Sequence, residues 1–230
     1  MSIFSNFIDI FFPKTCLSCG HILVEKDAQI CHNCLSSLPY THFDFNRNNI
    51  MYKQLSAYVN IEAATSLMYF NKQNNVQQIM HQLKYKNHQE LGVFFGKIIA
   101  KKLLESPVTK PIDLIVPIPL HPKKLKKRGY NQLSYFGKTL AKNINTEYDE
   151  KLLLKNRNNP SQTKKNADER RENVTNLFYV SNPEKLINKH ILIIDDVMTT
   201  GATLESAINE LLKIEGVKVS VATISVVEFR

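Results

Sequence analysis

Residues 191–204 read ILIIDDVMTTGATL, an apolar run that ends in two adjacent carboxylates and a hydroxyl-rich loop with one glycine. The apolar run from His190 to Ile194 has no polar alternation, which is typical of a strand buried on both faces of a parallel sheet. Apolar residues then recur at helical spacing from Leu204 to Leu212, and a second β-branched run follows at 217–224. This order of strand, loop, helix and strand predicts an α/β fold with a mostly parallel sheet.

The loop between the carboxylates and the helix has the composition of a sugar-phosphate site. Gly201 can adopt a positive φ, which lets the backbone approach a ligand. Backbone N–H groups at the start of the following helix favour an anion, and three threonines add hydroxyl donors. Asp195 and Asp196 would repel a phosphate, so they are better suited to accepting hydrogen bonds from sugar hydroxyls or to holding Mg²⁺ through water. The alternative, a buried strand followed by a plain capped helix, explains one threonine but not the two acids.

These fourteen residues resemble the motif with which type I phosphoribosyltransferases bind 5-phosphoribosyl 1-pyrophosphate (PRPP). In that family the acidic pair contacts the ribose hydroxyls, and the following loop wraps the 5′-phosphate. The resemblance implies that PRPP, together with Mg²⁺, is the ligand. It assigns the ribose and the 5′-phosphate to Asp195, Asp196, Val197, Met198, Thr199, Thr200, Gly201, Ala202 and Thr203.

A second apolar strand ends in a Pro-x-Pro turn and a basic run. Residues 113–120 read DLIVPIPL, and the prolines stop the strand and stiffen the loop. A loop of this kind at a strand end, beside fixed positive charge, can receive a pyrophosphate. The alternative is a rigid turn before a solvated basic helix, but consistency with the sugar-phosphate motif favours pyrophosphate. The predicted pyrophosphate site comprises Pro119, Leu120, Arg128 and Gly129.

The excess of positive charge is concentrated in one part of the chain. The net charge is +9, and residues 121–171 contain 14 lysines and arginines against 5 aspartates and glutamates, which equals the whole excess. Such a segment is either a solvated basic face or a site for anions such as pyrophosphate and nucleic acid. The candidate residues for nucleic acid are Lys123, Lys124, Lys126, Lys127 and Tyr130.

A polar segment at residues 156–173 lies between these two motifs. Hydrogen-bond donors are in excess there, so the segment is predicted to be either a mobile lid over a charged ligand or a plain exposed loop before a short helix. The candidate lid residues are Arg157, Gln162, Lys164, Lys165 and Arg170.

All four cysteines lie near the N-terminus as two C-x-x-C pairs. Eleven residues separate the pairs, a spacing that can place four thiolates tetrahedrally around Zn²⁺. Two disulfides would require an oxidising compartment, and a redox C-x-x-C would require a thioredoxin-like context. Because a closed four-cysteine site leaves no position for water, structural zinc is predicted rather than catalytic zinc. Its ligands would be Cys16, Cys19, Cys31 and Cys34.

The length and composition fit a globular protein with two parts. Residues 1–45 are predicted to form a zinc-finger module with a lead-in helix, and residues 46–230 to form the α/β domain. No run of about 18 apolar residues is present, and residues 1–13 lack the features of a signal peptide, so a cytoplasmic protein without a membrane span is expected. The other predicted elements are a linker at 38–49, a hairpin with strands at 55–59 and 65–70, and helices at 76–83, 91–103 and 133–144.

Together these segments resemble the ComF family of competence-associated, phosphoribosyltransferase-like proteins. The resemblance implies a type I phosphoribosyltransferase-like domain, an open and mostly parallel sheet flanked by helices, behind an N-terminal zinc finger. It also implies a role in natural transformation, with single-stranded DNA and the uptake machinery at the inner membrane as expected partners. The matching pieces are the paired C-x-x-C module, residues 116–120, residues 128–132, Gln162 with Arg170 and Asn173, and residues 195–203.

Three functions are compatible with these motifs. The first is a PRPP- and Mg²⁺-binding protein of DNA uptake that also binds single-stranded DNA. The second is a true phosphoribosyltransferase of nucleotide metabolism or salvage, in which Mg²⁺ and Arg128 would stabilise the leaving pyrophosphate. The third is a PRPP-sensing regulator without turnover. The chain shows no recognisable element for base specificity, which counts against the second function and leaves enzymatic activity open.

Overall fold

A parallel sheet forms the centre of the computed structural model, which describes residues 13–25, 27–71, 75–106, 111–156 and 177–228. Its five strands are β1 (Ala64–Phe70), β2 (Leu114–Pro117), β3 (Glu147–Tyr148), β6 (His190–Met198) and β7 (Lys218–Val227). Two further strands, β4 (Leu153–Lys155) and β5 (Phe178–Val180), form a separate pair. The spatial order is β1, β7, β6, β2, β3, and every neighbouring pair is parallel. The pair β4 and β5 is antiparallel. The α/β fold with a mostly parallel sheet is therefore confirmed.

Helices flank this sheet. They are α2 (Ile50–Ser56), α3 (Asn75–Tyr85), α4 (Glu90–Leu104), α5 (Pro122–Arg128), α6 (Ser134–Ile144) and α7 (Ala202–Leu211), with a 3₁₀ turn at Pro183–Leu186, while the short helix α1 (His32–Ser36) lies among the four cysteines. The helices predicted near residues 76, 91, 133 and 204 are present as α3, α4, α6 and α7. None of the helices in the described part of the chain combines the length and the apolar character that a membrane crossing requires.

The strand β6 is covered on both of its faces. Ile191, Leu192, Ile193 and Ile194 are each 0% exposed, although successive side chains of a strand point to opposite sides of the sheet. This explains why the run is apolar without alternation. The strand β2 ends at Pro117, which is aligned with Ile194 of its parallel neighbour β6, so β6 continues past the end of β2 from Asp195 onward.

Two predictions for residues 38–59 are wrong. The strand predicted at 55–59 is instead the end of α2 (Ile50–Ser56) and the turn that follows it, and the Asn49 side chain caps this helix by accepting the N–H of Tyr52 at 2.9 Å. Leu55 and Val59 are both buried, and their four-residue spacing is helical. Residues 38–49 are not a free linker, since Asn46 pairs with Ala64 of β1 in an isolated antiparallel bridge. The predicted lead-in helix falls within residues 1–12, outside the described residues.

The helices α4 and α6 approach each other closely at glycine. A Cβ added at Gly96 would lie 2.8 Å from Thr139 Cβ and 3.0 Å from the carbonyl oxygen of Phe136. A Cβ added at Gly92 would lie 3.0 Å from the backbone nitrogen of Phe136. Both distances are shorter than ordinary packing contacts, so the absence of these side chains sets how near α6 lies to α4.

Candidate functional site

The acidic pair lies inside β6 rather than after it. Residue pairing with β7 continues through Asp195 and Thr223 to Met198 and Val226. Because side chains alternate along a strand, Asp195 and Asp196 lie on opposite faces of β6. The predicted loop at 197–203 is correspondingly shorter, since Val197 and Met198 belong to β6 while Ala202 and Thr203 open α7.

Asp196 is a buried carboxylate with partners from two other parts of the chain. It is 5% exposed. Gln132 Nε2 donates to one carboxylate oxygen at 2.6 Å, and Lys84 Nζ lies 3.1 Å from the other. Arg128 donates in turn to the side-chain oxygen of Gln132. A chain of contacts thus runs from Arg128 through Gln132 and Asp196 to Lys84.

Asp195 is half-buried and has a perturbed ionisation. Burial, followed by the charge of Asp196, raises the pKa of Asp195 to about 8. The backbone N–H of Asp196, which donates to Asp195 Oδ1 at 2.8 Å, and the cations Lys84 and Lys155 oppose this shift only in part. A cation bound at this carboxylate would therefore displace a proton near neutral pH.

The loop between β6 and α7 is open to a ligand. Thr199, Thr200, Ala202 and Thr203 are exposed, and Ala202 begins the helix whose first N–H groups favour an anion. Gly201 has a φ of +85°, as predicted. It is buried, and a Cβ there would lie 3.2 Å from Leu55 and from Met198, so the turn requires glycine for its conformation and has little room for a larger residue.

The Pro-x-Pro turn lies beside the acidic pair. Ile118 N–H donates to the carbonyl oxygen of Ile194 at 2.9 Å, which continues the contact between β2 and β6. Pro119 and Leu120 follow and are half-buried. The side-chain amide of Asn131 donates a hydrogen bond to the carbonyl oxygen of Ile118 at 3.4 Å.

A groove of about 660 Å³ opens between the end of α3 and α5. Arg128 stacks on one wall, with its guanidinium carbon 5.0 Å from the ring centre of Tyr85. Tyr130 is anchored on the other side, where its hydroxyl donates to the carbonyl oxygen of Leu83 at 3.0 Å. Four cations line this groove, which makes it suited to an anion: Lys84, Lys124, Lys127 and Arg128.

The predicted anion-binding residues divide between this groove and its surroundings. Of the pyrophosphate candidates, Arg128 and Gly129 line it, while Pro119 and Leu120 do not. Of the nucleic-acid candidates, Lys124, Lys127 and Tyr130 line it, while Lys123 and Lys126 are exposed on other positions of α5. The candidate lid residues Arg157, Gln162, Lys164, Lys165 and Arg170 all fall outside the described residues.

Three residues near the acidic pair were not singled out as ligands from the sequence. They are Lys84, Gln132 and Lys155. Lys155 lies near both Asp195 and Lys124, and burial followed by the charge of Lys124 lowers its pKa. Gln132 belongs to a stretch that the sequence marked as important, but Lys84 looks like an ordinary polar residue at the end of an amphipathic helix.

The four cysteines converge at the N-terminal end of the described chain. Their sulfur atoms all lie within 4.8 Å of one another, and those of Cys19 and Cys31 are 3.8 Å apart. A tetrahedral site with Zn–S bonds of about 2.3 Å separates its sulfur atoms by about 3.8 Å, so the cluster fits zinc. Gly20 N–H donates to the Cys16 carbonyl oxygen at 2.9 Å, which closes the first knuckle.

The surroundings of Cys16 favour its thiolate form. Burial alone would raise the pKa of Cys16, but N–H groups, with that of Cys31 at 3.2 Å from Cys16 Sγ, outweigh it and lower the pKa to about 6. Burial raises the pKa of Cys34. A zinc ion would favour the thiolate at both positions.

Two family models match the chain. The Phosphoribosyl transferase domain model matches residues 134–229, and the Double zinc ribbon domain model matches residues 7–43. Three strands of the parallel sheet, β3, β6 and β7, fall in the first region, and the four-cysteine cluster falls in the second. The molecule is thus a protein with a phosphoribosyltransferase-like α/β domain and an N-terminal zinc ribbon.

Curated relatives narrow this class to one family. The chain is 30% identical over 160 residues to Competence protein ComFC of Streptococcus pneumoniae, which covers 65% of this chain and 68% of that protein. It is 24% identical over 144 residues to Competence protein F of Haemophilus influenzae (61% and 62% covered) and 27% identical over 138 residues to DNA utilization protein YhgH of Escherichia coli K12 (59% and 60%). The chain belongs to the ComF family. It matches 60% of the length of the E. coli relative.

Proposed function

We propose that this protein binds PRPP with Mg²⁺ at the carboxyl edge of β6 and acts in DNA uptake or DNA utilisation. Three features that follow one another at one edge of the sheet carry the proposal: the acidic pair, Gly201 in the left-handed conformation and the exposed start of α7. Ligands of open α/β folds bind beyond the carboxyl ends of the strands. The names of the relatives support the biological role.

Each part of PRPP has a candidate partner in this arrangement. The loop from Thr199 to Thr203 would receive the 5′-phosphate through N–H groups and hydroxyls. Asp195 and Asp196 would accept from the ribose hydroxyls or from water on Mg²⁺. The pyrophosphate would lie towards Arg128 and Gly129, with the turn at 119–120 beside it. When bound, Mg²⁺ would offset the charge of the pyrophosphate and of the acidic pair.

The double substitution Asp195→Asn and Asp196→Asn tests PRPP binding. Asparagine keeps the size of each side chain and can still accept from Gln132, but it removes both charges. PRPP with Mg²⁺ should raise the melting temperature of the parent and leave that of the variant unchanged. Glu215→Ala, at an exposed position, is the control and should behave like the parent. Equal stabilisation of parent and double variant by PRPP would reject the site.

We also propose that the α3–α5 groove and the exposed face of α5 bind single-stranded DNA. The four lysines of α5 supply phosphate contacts, and Tyr85 and Tyr130 present aromatic rings in the groove. Replacing Lys124 and Lys127 by glutamine should weaken binding at low salt and flatten its dependence on salt concentration. Replacing Lys213 and Lys189, two lysines of other regions, is the control. An oligonucleotide affinity that does not respond to the α5 substitutions would contradict this role.

Phosphoribosyl transfer is a second candidate because the same site would hold the pyrophosphate that leaves. Arg128 already lies beside the buried Gln132–Asp196 contact, where developing negative charge would be stabilised. Pyrophosphate release from PRPP, measured across a panel of nucleobases and amines, decides between turnover and binding alone. Binding without release for every acceptor would leave a PRPP-dependent regulator of DNA handling.

The zinc ribbon and the location complete the proposal. The closed four-cysteine centre would act structurally, holding residues before about 45 as a module on the α/β domain at 46–230. The cytoplasm is where a PRPP-binding protein would meet incoming single-stranded DNA, with the uptake machinery at the inner membrane as its partner. Cell fractionation of a tagged chain, with and without competence induction, tests both points.

A further inference from the structure

Lys84 joins the acidic pair to the groove. It lies in the last turn of α3, and its side chain is only 25% exposed. Its ammonium group is 3.1 Å from Asp196 Oδ1, while the residue also lines the groove that contains Arg128. A single lysine therefore borders both the carboxylate proposed for ribose and Mg²⁺ and the space proposed for pyrophosphate.

A divalent cation bound at the acidic pair would change the balance of charge around Asp196. Among the described residues, Lys84 is the cation paired with this buried carboxylate, and Gln132 supplies a neutral hydrogen bond. A magnesium ion at the acidic pair would take over that compensation. Lys84 would then be a surplus cation, directed towards a groove that already contains Lys124, Lys127 and Arg128. Four cations in one groove repel one another unless an anion enters.

We propose that Lys84 is a pyrophosphate-binding residue that pairs with Asp196 in the free protein and transfers to the pyrophosphate of PRPP when Mg²⁺ binds the acidic pair. This inference rests on the proposed PRPP site. It assigns to α3, which lies outside the matched phosphoribosyltransferase segment at 134–229, a direct role in recognising the ligand. Lys84 then distinguishes PRPP from a sugar phosphate that lacks pyrophosphate.

The test compares two ligands on three full-length variants. Lys84→Met removes the charge and keeps an aliphatic side chain of similar length. Lys84→Gln also removes the charge but can still donate to Asp196, which preserves the fold if the buried carboxylate needs a partner. Lys86→Met, at an exposed position two residues further along, is the matched control. Affinities for PRPP and for ribose 5-phosphate are measured by titration calorimetry at one fixed concentration of Mg²⁺.

Both Lys84 variants should bind PRPP about tenfold or more weakly than the parent, because a charge-assisted contact to pyrophosphate is lost. Their affinity for ribose 5-phosphate should change less than about twofold, and Lys86→Met should match the parent with both ligands. An unchanged or tighter affinity of the Lys84 variants for PRPP would overturn the inference, as would an equal loss for both ligands. If the parent itself does not bind PRPP, the proposed function fails, which is a separate result from any behaviour of Lys84.

Discussion

The cysteine centre and the acidic-pair site are assembled in different ways. The four thiols come from one short span between Cys16 and Cys34, and the N–H groups that surround Cys16 belong to the same span. The acidic pair receives Lys84 from α3, Gln132 from the segment before α6 and Lys155 from β4. The first site is a product of local chain geometry, whereas the second exists only when distant elements are packed together.

This difference predicts which perturbations each site will register. A change in the packing of the α/β domain should alter the contacts of the acidic pair, because the residues that contact the pair belong to separate helices and strands. The same change should leave the thiol cluster intact, since its ligands and the turns that carry them lie within one segment. Four substitutions, from the largest expected effect to the smallest, test this contrast.

Cys16→Ser should have the largest effect and should act locally. A lost thiolate opens the four-ligand site, so we expect bound zinc to fall from one equivalent to near zero. Metal content measured after dialysis against a mild chelator gives the result. His21→Ala is the control, because its Nδ1 lies 3.5 Å from Cys19 Sγ but four cysteines already complete the ligand set. Loss of zinc in His21→Ala and retention in Cys16→Ser would reverse the assignment of ligands.

Gly96→Ala should disturb the acidic-pair site without touching it. The added Cβ would lie 2.8 Å from Thr139 Cβ, and relieving that overlap should lower the free energy of unfolding by about 1–3 kcal/mol. Since the displaced helix begins two residues after Gln132, affinity for PRPP should fall as well, while zinc content stays at the parental level. Denaturant unfolding, calorimetry and metal analysis measure the three quantities. Lys97→Ala, at the exposed neighbouring position, should leave all three unchanged.

Asp195→Asn should change how stability depends on pH. The folded protein holds the Asp195 proton up to a pKa of about 8, far above the value near 4 of an unfolded chain. The folded state therefore binds more protons between these values, so this carboxyl stabilises the protein at low pH and that contribution is lost as pH rises through about 8.

Asparagine imitates the protonated form at every pH. The melting temperature of Asp195→Asn relative to the parent should rise between pH 5 and pH 8.5, by at least the roughly 2–4 °C that 1 kcal/mol produces in a protein of this size. Thermal melts in a buffer series provide the measurement. A difference in melting temperature that is constant across the series would show that Asp195 is ionised throughout.

Glu105→Gln should have the smallest effect on stability. It measures what an exposed ion pair contributes, for comparison with the buried pair of Lys84 and Asp196. Glu105 and Lys101 form an i,i+4 pair on the surface of α4 at 3.8 Å, with side chains 65% and 78% exposed. Breaking such a pair changes stability by only about 0.3–0.5 kcal/mol, and salt reduces the effect further. Urea unfolding at low and high salt measures it. A destabilisation several times larger would mean that exposed pairs also matter to this fold.

The sequence predicts well those structural elements whose signals lie within a short stretch of residues. Strand β6, helix α7 and the positive φ of Gly201 follow from periodicity and from the conformational freedom of one residue type. The cysteine spacing likewise predicts a cluster that the structure contains. The strand predicted at 55–59 is wrong because its apolar residues fit both a short strand and one helical turn, and the local signal that decides between them, Asn49 capping the N–H of Tyr52, does not enter a count of apolar residues.

The partners of the acidic pair could not be predicted in the same way. Lys84 lies more than a hundred positions before Asp196, and nothing in its own helix distinguishes it from a solvated lysine. The strand β6 extends beyond Asp195 because its residues up to Met198 pair with β7. The pattern of apolar residues within one strand does not reveal such pairing. Contacts of this kind emerge only when the order of the strands and the positions of the helices are known.

The glycines of α4 limit which substitutions this protein can accept in evolution. Gly92 and Gly96 let the backbone of α6 rest almost directly on α4, and Gln132 lies just before the first turn of α6. The absence of two side chains therefore sets how closely α6 approaches α4, and Gln132 is attached to that helix. Enlarging Gly96 would require a smaller residue at Thr139 and a shift of the α6 backbone, and enlarging Gly92 would require that shift alone, so changes in these two helices should be coupled, while the cysteine module can diverge on its own.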